Sequence, residues 1–192
     1  MIACLDVHYA ETSALAAGVI LRDWTSSKAL AEAVHAISSV ASYQPGEFYR
    51  RELPCLLQLI TTQREFLQND VRVFIVDGYV HLGADRRDGL GAYLHRAIGN
   101  RTVVGVAKTR FAETTAVEVR RGGSVAPLYV TAIGMDEATA AENVRRMYGQ
   151  HRVPAALRRV DRLSRGDAPR PYWIHGHPLD DVARVHGVEE RE

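Results

Sequence analysis

The sequence predicts an α/β protein, a mixed sheet flanked by helices. Two strand-like runs near the start, "IACLDV" and "ALAAGVILRD", enclose the polar "HYAETS", the pattern of an antiparallel hairpin. Further on, the apolar "VRVFIVD", the helical "DGLGAYLHRAI" and the apolar "TVVGVAK" follow as strand, helix and strand, an order that produces a parallel pair. Carboxylates close strands that are otherwise apolar, as Asp77 does after "VFIV".

Between these blocks, "KALAEAVHAI" follows the turn-like "DWTSS" and is read as the third strand of a meander; its alanines and glutamate make a short helix the alternative. "GEFYRRELPCLLQLITTQREFL" has apolar residues spaced by three and four, with Phe48, Leu53, Leu56, Leu57 and Ile60 on one side. An amphipathic helix follows, in which Pro54 is tolerable only near the first turn. "AVEVRRGGSVAPLYVTAI" reads as two strands around a Gly-Gly turn. "DEATAAENVRRMYGQ" reads as a helix with acids at its start and Gly149 near its end. Residues 1–165 are thus expected to form one domain, and 166–192, rich in proline, glycine and charge, a tail with a frayed end. A ribonuclease H-like sheet is one arrangement that fits this order.

At 192 residues, 46% hydrophobic and 24% charged, the chain can build a full core. It has no apolar run long enough to cross a membrane, and its start lacks the basic and apolar regions of a signal peptide, so a cytoplasmic location is expected; the chain is expected to act as a monomer. Cys4 and Cys55 have no metal-type spacing and read as reduced, buried thiols. The net charge of +1 conceals a run of arginines from Arg145 to Arg170, either a phosphate-binding surface or an ordinary solvated helix face. No GxGxxG or Walker loop is present, which argues against a nucleotide cofactor. His175 and His177 in the polar tail are read as incidental.

The acids give the functional lead. If the first strand and "VFIV" are parallel neighbours, Asp6 and Asp77 lie side by side, and a divalent cation relieves their repulsion most simply. Oxygen ligands with open positions suit magnesium, with manganese as the alternative. Glu52, in the helix, and Asp161, in the arginine-rich segment, are further candidate ligands. Any one of these acids alone is more often a cap or a surface charge.

The ordered set "LDVHY", "SYQPGEFYRRELP", "VFIVDGYVHLGADRRDGLGAYL", "TVVGVAK" and "HRVPAALRRVDRLSR" resembles the endonuclease V family, whose fold is ribonuclease H-like. The resemblance implies a metal-dependent endonuclease of DNA repair, acting on deoxyinosine in DNA and in some members on inosine in RNA. It implies cleavage one nucleotide to the 3' side of the lesion, leaving a 3'-hydroxyl and a 5'-phosphate. By position it assigns Asp6, Glu52 and Asp77 as catalytic metal ligands, Lys108 as the lysine facing the scissile phosphate, and Asp161 as the late residue near the metal. It makes Tyr43, Gln44, Pro45 and Gly46 a strand-separating wedge, and adds Gly78, Arg158 and Arg159 to the nucleic-acid contacts.

The resemblance is that of a divergent member. Tyr79 and Val80 stand where the family's loop continues His-Gly, Ala84 stands at its second histidine, and His81 could approach that place. A side chain at Val80 is expected to hold a flipped purine away from the backbone and so to weaken preference for inosine. The alternative reading is a nucleic-acid-binding protein of the same fold with altered base specificity or weak cleavage; a small-molecule phosphohydrolase or α/β binding module comes third.

Overall fold

The computed structural model describes residues 1–41, 47–63, 66, 70–169, 173–174 and 177–178. Strand β1 (Ile2–Tyr9) pairs antiparallel with β2 (Ala14–Leu21), and β2 with β3 (Ala31–Ile37), completing the meander. Period-two alternation, rather than alanine's helix preference, decides β3. Ala33 and Ile37 face one core, while Glu32 and Val34 face the other side of the sheet.

Helix α1 (Phe48–Thr62) leads back to β4 (Val73–Asp77), which pairs parallel to β1 from Ile2↔Val73 to Leu5↔Val76. The hairpin strands β5 (His81–Leu82) and β6 (Arg87–Asp88) precede α2 (Leu90–Ala97). Strand β7 (Thr102–Ala107) then runs parallel to β4, so strand, helix and strand form a parallel unit. Strands β8 (Val117–Val119) and β9 (Leu128–Ile133) add antiparallel pairs, giving the order β3-β2-β1-β4-β7-β9-β8. Helices α3 (Glu137–Arg146) and α4 (Ala155–Ser164) follow, and Asp136 caps α3 by accepting the Thr139 N–H at 2.9 Å. A short ribbon pairs β10 (Trp173–Ile174) with β11 (His177–Pro178).

The sheet is covered on both faces. On one, α1 and α2 pack on Ala3, Leu5, Phe74 and Val76; on the other, α3 and α4 pack on Ile2, Cys4, Ile75 and Val104. Leu56, Leu59 and Ile60 are the apolar anchors of α1, each contributing roughly 1.5–3 kcal/mol by leaving water. Two details of α1 differ from the sequence expectation. Phe48 is 45% exposed, and Glu52 takes a buried position instead. Pro54 lies inside the helix on its exposed side, where the Arg50 carbonyl that loses its intrahelical partner can meet water.

Candidate active site

Alternation along the strands explains how three charged residues reach one place. Ile2 and Cys4 on β1, Ile75 on β4, and Val104 and Val106 on β7 all face the α3 and α4 layer. Two residues on from Cys4, Ile75 and Val106 stand Asp6, Asp77 and Lys108, directed to that same side at the carboxyl ends of the parallel strands. Lys108 Nζ lies 2.6 Å from Asp77 Oδ2 and 3.9 Å from Asp161 Oδ1, the latter delivered by α4. Asp6 Oδ2 accepts a 2.5 Å hydrogen bond from Ser164 Oγ, also on α4. Asp6, Asp77, Lys108 and Asp161 line a cavity of about 20 Å³ floored by Leu5 and Val76.

Glu52 arrives from α1, on the opposite face of the sheet. It is 4% exposed and accepts a hydrogen bond of 3.1 Å from the Tyr9 hydroxyl, itself beneath the Arg51 guanidinium at 3.9 Å. Burial, helped by the charges of Asp6 and Asp77 and opposed by the Tyr9 bond, pushes its carboxyl up to about 8. Burial also raises Asp6, against the Ser164 bond and with Asp77 and Asp161 adding to the rise. Burial would lower Lys108, but Asp77, Asp161 and Asp6 outweigh it and raise the ammonium above its ordinary value.

The structure therefore brings Asp6, Asp77, Lys108 and Asp161 together and sets Glu52 behind them. Among the described residues, no three His, Cys, Asp or Glu side chains already form a metal-binding group. Each acid has a protein partner instead: Asp6 is held by Ser164, Asp77 by Lys108, Glu52 by Tyr9 and Asp161 by Arg165. The donor set nonetheless fits a hard divalent ion. It is all oxygen, and two of its members are raised by burial and like charge, a state that a cation reverses.

Gly78 turns the chain away from β4 at φ 133°, a conformation that favours glycine. The loop then crosses close over β7, where a Cβ at Gly105 would stand 2.6 Å from the Gly78 carbonyl oxygen. Val80 corrects an expectation. Its side chain is fully buried against the Gly91 backbone and its N–H donates to Thr131 Oγ1 at 2.8 Å, so it fills core rather than standing in a base's path. His81 pairs across the hairpin with Asp88 at 4.0 Å and does not line the cavity.

Sequence reasoning missed the supports of Lys108. The Tyr79 hydroxyl donates to the Thr109 carbonyl at 2.8 Å and accepts from the Phe111 N–H at 3.0 Å. Arg152 donates to the carbonyls of Lys108 and Pro127. The segment carrying Lys108 is thereby tied from two sides. Ser164 and Tyr9 were also missed; Tyr9, on the same strand as Asp6 and facing the other side, is the one that period-two alternation could have found.

Of the expected nucleic-acid contacts, Tyr43, Gln44, Pro45 and Gly46 lie outside the described residues. Arg158 is exposed on α4. Arg159 instead turns inward, donating to Glu32 at 2.8 and 2.6 Å, and its Nη1 lies 3.2 Å from Asp167.

A mixed sheet of this order, with Asp6 and Asp77 at the ends of adjacent parallel strands, is a ribonuclease H-like fold. The chain belongs to the endonuclease V family, whose sequence model, described as Endonuclease V, matches residues 1–148; it is an endonuclease. Asp161, Arg158 and Arg159 lie beyond that match. The fold is similar to endonuclease V from Streptomyces avermitilis, at 23% identity and a TM-score of 0.66 over 85% of this chain and 79% of that one. Human ENDOV gives 23% identity and a TM-score of 0.67, covering 85% and 82%. Endonuclease V from Ciona intestinalis, solved with a 24mer DNA containing an inosine followed by a ribo-adenosine, gives 18% and 0.69, covering 85% and 84%. No curated protein matches the sequence.

Proposed function

We propose that the protein cleaves a nucleic-acid strand on the 3' side of deoxyinosine or another damaged or unpaired base, leaving a 3'-hydroxyl and a 5'-phosphate. The observation that carries this reading is the placement of Asp6 and Asp77 on adjacent parallel strands with Lys108 within 2.6 Å of Asp77. Asp6, Asp77 and Glu52, with Asp161 beside them, would hold magnesium or manganese. Bound there, the ion supplies an activated water and stabilises charge on the leaving oxygen. Lys108 places a positive charge where the scissile phosphate gains negative charge. Gly78 permits close approach of the loop, Arg158 offers a phosphate contact, and Arg159 supports α4 from beneath. Tyr43, Gln44, Pro45 and Gly46 act as the wedge. The protein works as a cytoplasmic monomer on DNA, with RNA as a further substrate. No helix among the described residues is long and apolar enough to cross a membrane.

A second reading, altered base specificity, is favoured by the Tyr79 loop. Tyr79 is 8% exposed, its hydroxyl is engaged with the Lys108 segment, and the cavity beside Asp77 is only about 20 Å³. Matched single- and double-stranded oligonucleotides carrying inosine, uracil or a mismatch, incubated with magnesium or manganese, test both readings. Metal-dependent nicking beside any of these bases supports cleavage, nicking only beside a base other than inosine supports altered specificity as well, and no nicking of any substrate contradicts cleavage.

A further inference from the structure

A groove of about 600 Å³ opens between α4 and the β2–β3 connection, which lies at the amino ends of the parallel strands, level with Ile2. Lys28 rises from one wall, Arg158 and Arg162 from the other, and Ser26 and Ser27 add hydroxyls along the rim. Asp161 lines both this groove and the small cavity with Asp6, Asp77 and Lys108. Arg158 and Arg162 are one helical turn apart and project from the same side of α4, about 6 Å apart along the axis.

The groove is a built feature. At its base the Arg159 guanidinium grips both oxygens of Glu32, with side chains only 13% and 2% exposed. Burying such a pair costs desolvation that packing alone does not require. Its geometric effect is to tie the β2–β3 hairpin to α4 and fix the spacing of the walls. With Glu32 engaged by Arg159, the cations along the groove are Lys28, Arg158 and Arg162, the last 3.5 Å from Asp167, with Asp161 at the end nearest the site.

Building on the endonuclease reading, we infer that this groove carries the phosphodiester backbone of the substrate strand as it leaves the cleavage site. Lys28, Arg158 and Arg162 contact successive phosphates, and Ser26 and Ser27 supply hydroxyl donors. The contact is to backbone rather than base, so it adds affinity and registers the strand without reading sequence.

The test is the salt dependence of binding, measured with the full chain in EDTA so that metal-dependent cleavage does not intervene. Fluorescein-labelled single-stranded DNA and RNA of one sequence serve as probes for the wild type, Lys28→Ala, Arg158→Ala, Arg162→Ala and the triple variant. Each substitution should reduce the slope of log affinity against log salt by about 0.7, and the triple variant by roughly 2. Thermal melting should show all variants folded, and Lys28→Glu, a charge reversal at an exposed loop position, should weaken binding more than Lys28→Ala. Reduced slopes on either probe support the groove, and the probe held more tightly identifies the preferred strand. A wild type that binds and nicks, beside a triple variant with unchanged affinity and slope, overturns the groove alone. A wild type that binds neither probe overturns the endonuclease reading, and the groove falls with it.

Discussion

Lys108 and Asp77 form an ion pair of 2.6 Å at the ends of adjacent parallel strands, and the pair is open enough for solvent, at 41% and 39% side-chain exposure, to reach it. An ammonium so placed is available to a phosphate arriving beside Asp77. Lys108→Ala should slow single-turnover cleavage by about 10²-fold while weakening substrate affinity much less, because its charge acts on the reacting phosphate. Rate at saturation and affinity, measured separately, decide this; equal losses in both would place Lys108 in the general binding surface.

Glu52 makes the metal-free protein sensitive to pH. Its carboxyl is raised to about 8 in the folded chain by burial, then by Asp6 and Asp77, and falls to the ordinary carboxylate range on unfolding. Between those values the folded state holds more protons than the unfolded state, so its stability falls as pH rises from about 4.5 towards 8, by at most about 1.4 kcal/mol per pH unit for one proton. Melting in EDTA should show this decline, and Glu52→Gln should flatten it. Identical slopes in both proteins would refute the assignment.

Tyr79 links two loops through Thr109 and Phe111. Tyr79→Phe should cost about 1 kcal/mol of stability, as a lost hydrogen-bonding group does, and should lower the cleavage rate more than affinity by loosening the segment of Lys108. Unchanged melting and rate would show the link to be dispensable.

Val80, fully buried, gives the opposite expectation from an open pocket. Val80→Gly should destabilise the fold by about 2 kcal/mol or more through the void it leaves, without raising the ratio of rates on inosine and adenine substrates. A higher ratio in a stable variant would return Val80 to the base pocket.

Much of the arrangement was legible because it depends on local pattern. The apolar run ending at Asp77, followed by a helix and a second run, carries the parallel pair, and alternation within β1, β4 and β7 then aligns Asp6, Asp77 and Lys108. The rest depends on partners far apart in sequence. Ser164 meets Asp6 across 158 positions, and Arg159 meets Glu32 across 127, so neither spacing leaves a periodic signal. Arginine-rich α4 reads as one basic surface in sequence; folding divides it into Arg158 facing out and Arg159 facing in. The inward place of Glu52 was hidden because apolar spacing alone assigned that side of α1 to Phe48.

The most direct test concerns Asp77. Single-turnover nicking of an inosine oligonucleotide should be compared between the wild type and Asp77→Asn, with magnesium and with EDTA, alongside melting of both proteins. The wild type should nick only with metal and the variant not at all, and the variant should be folded with a melting temperature close to that of the wild type in EDTA, since a half-exposed ion pair contributes at most about 1 kcal/mol. Wild-type nicking rates in Asp77→Asn, or equal cleavage with and without metal, would contradict it.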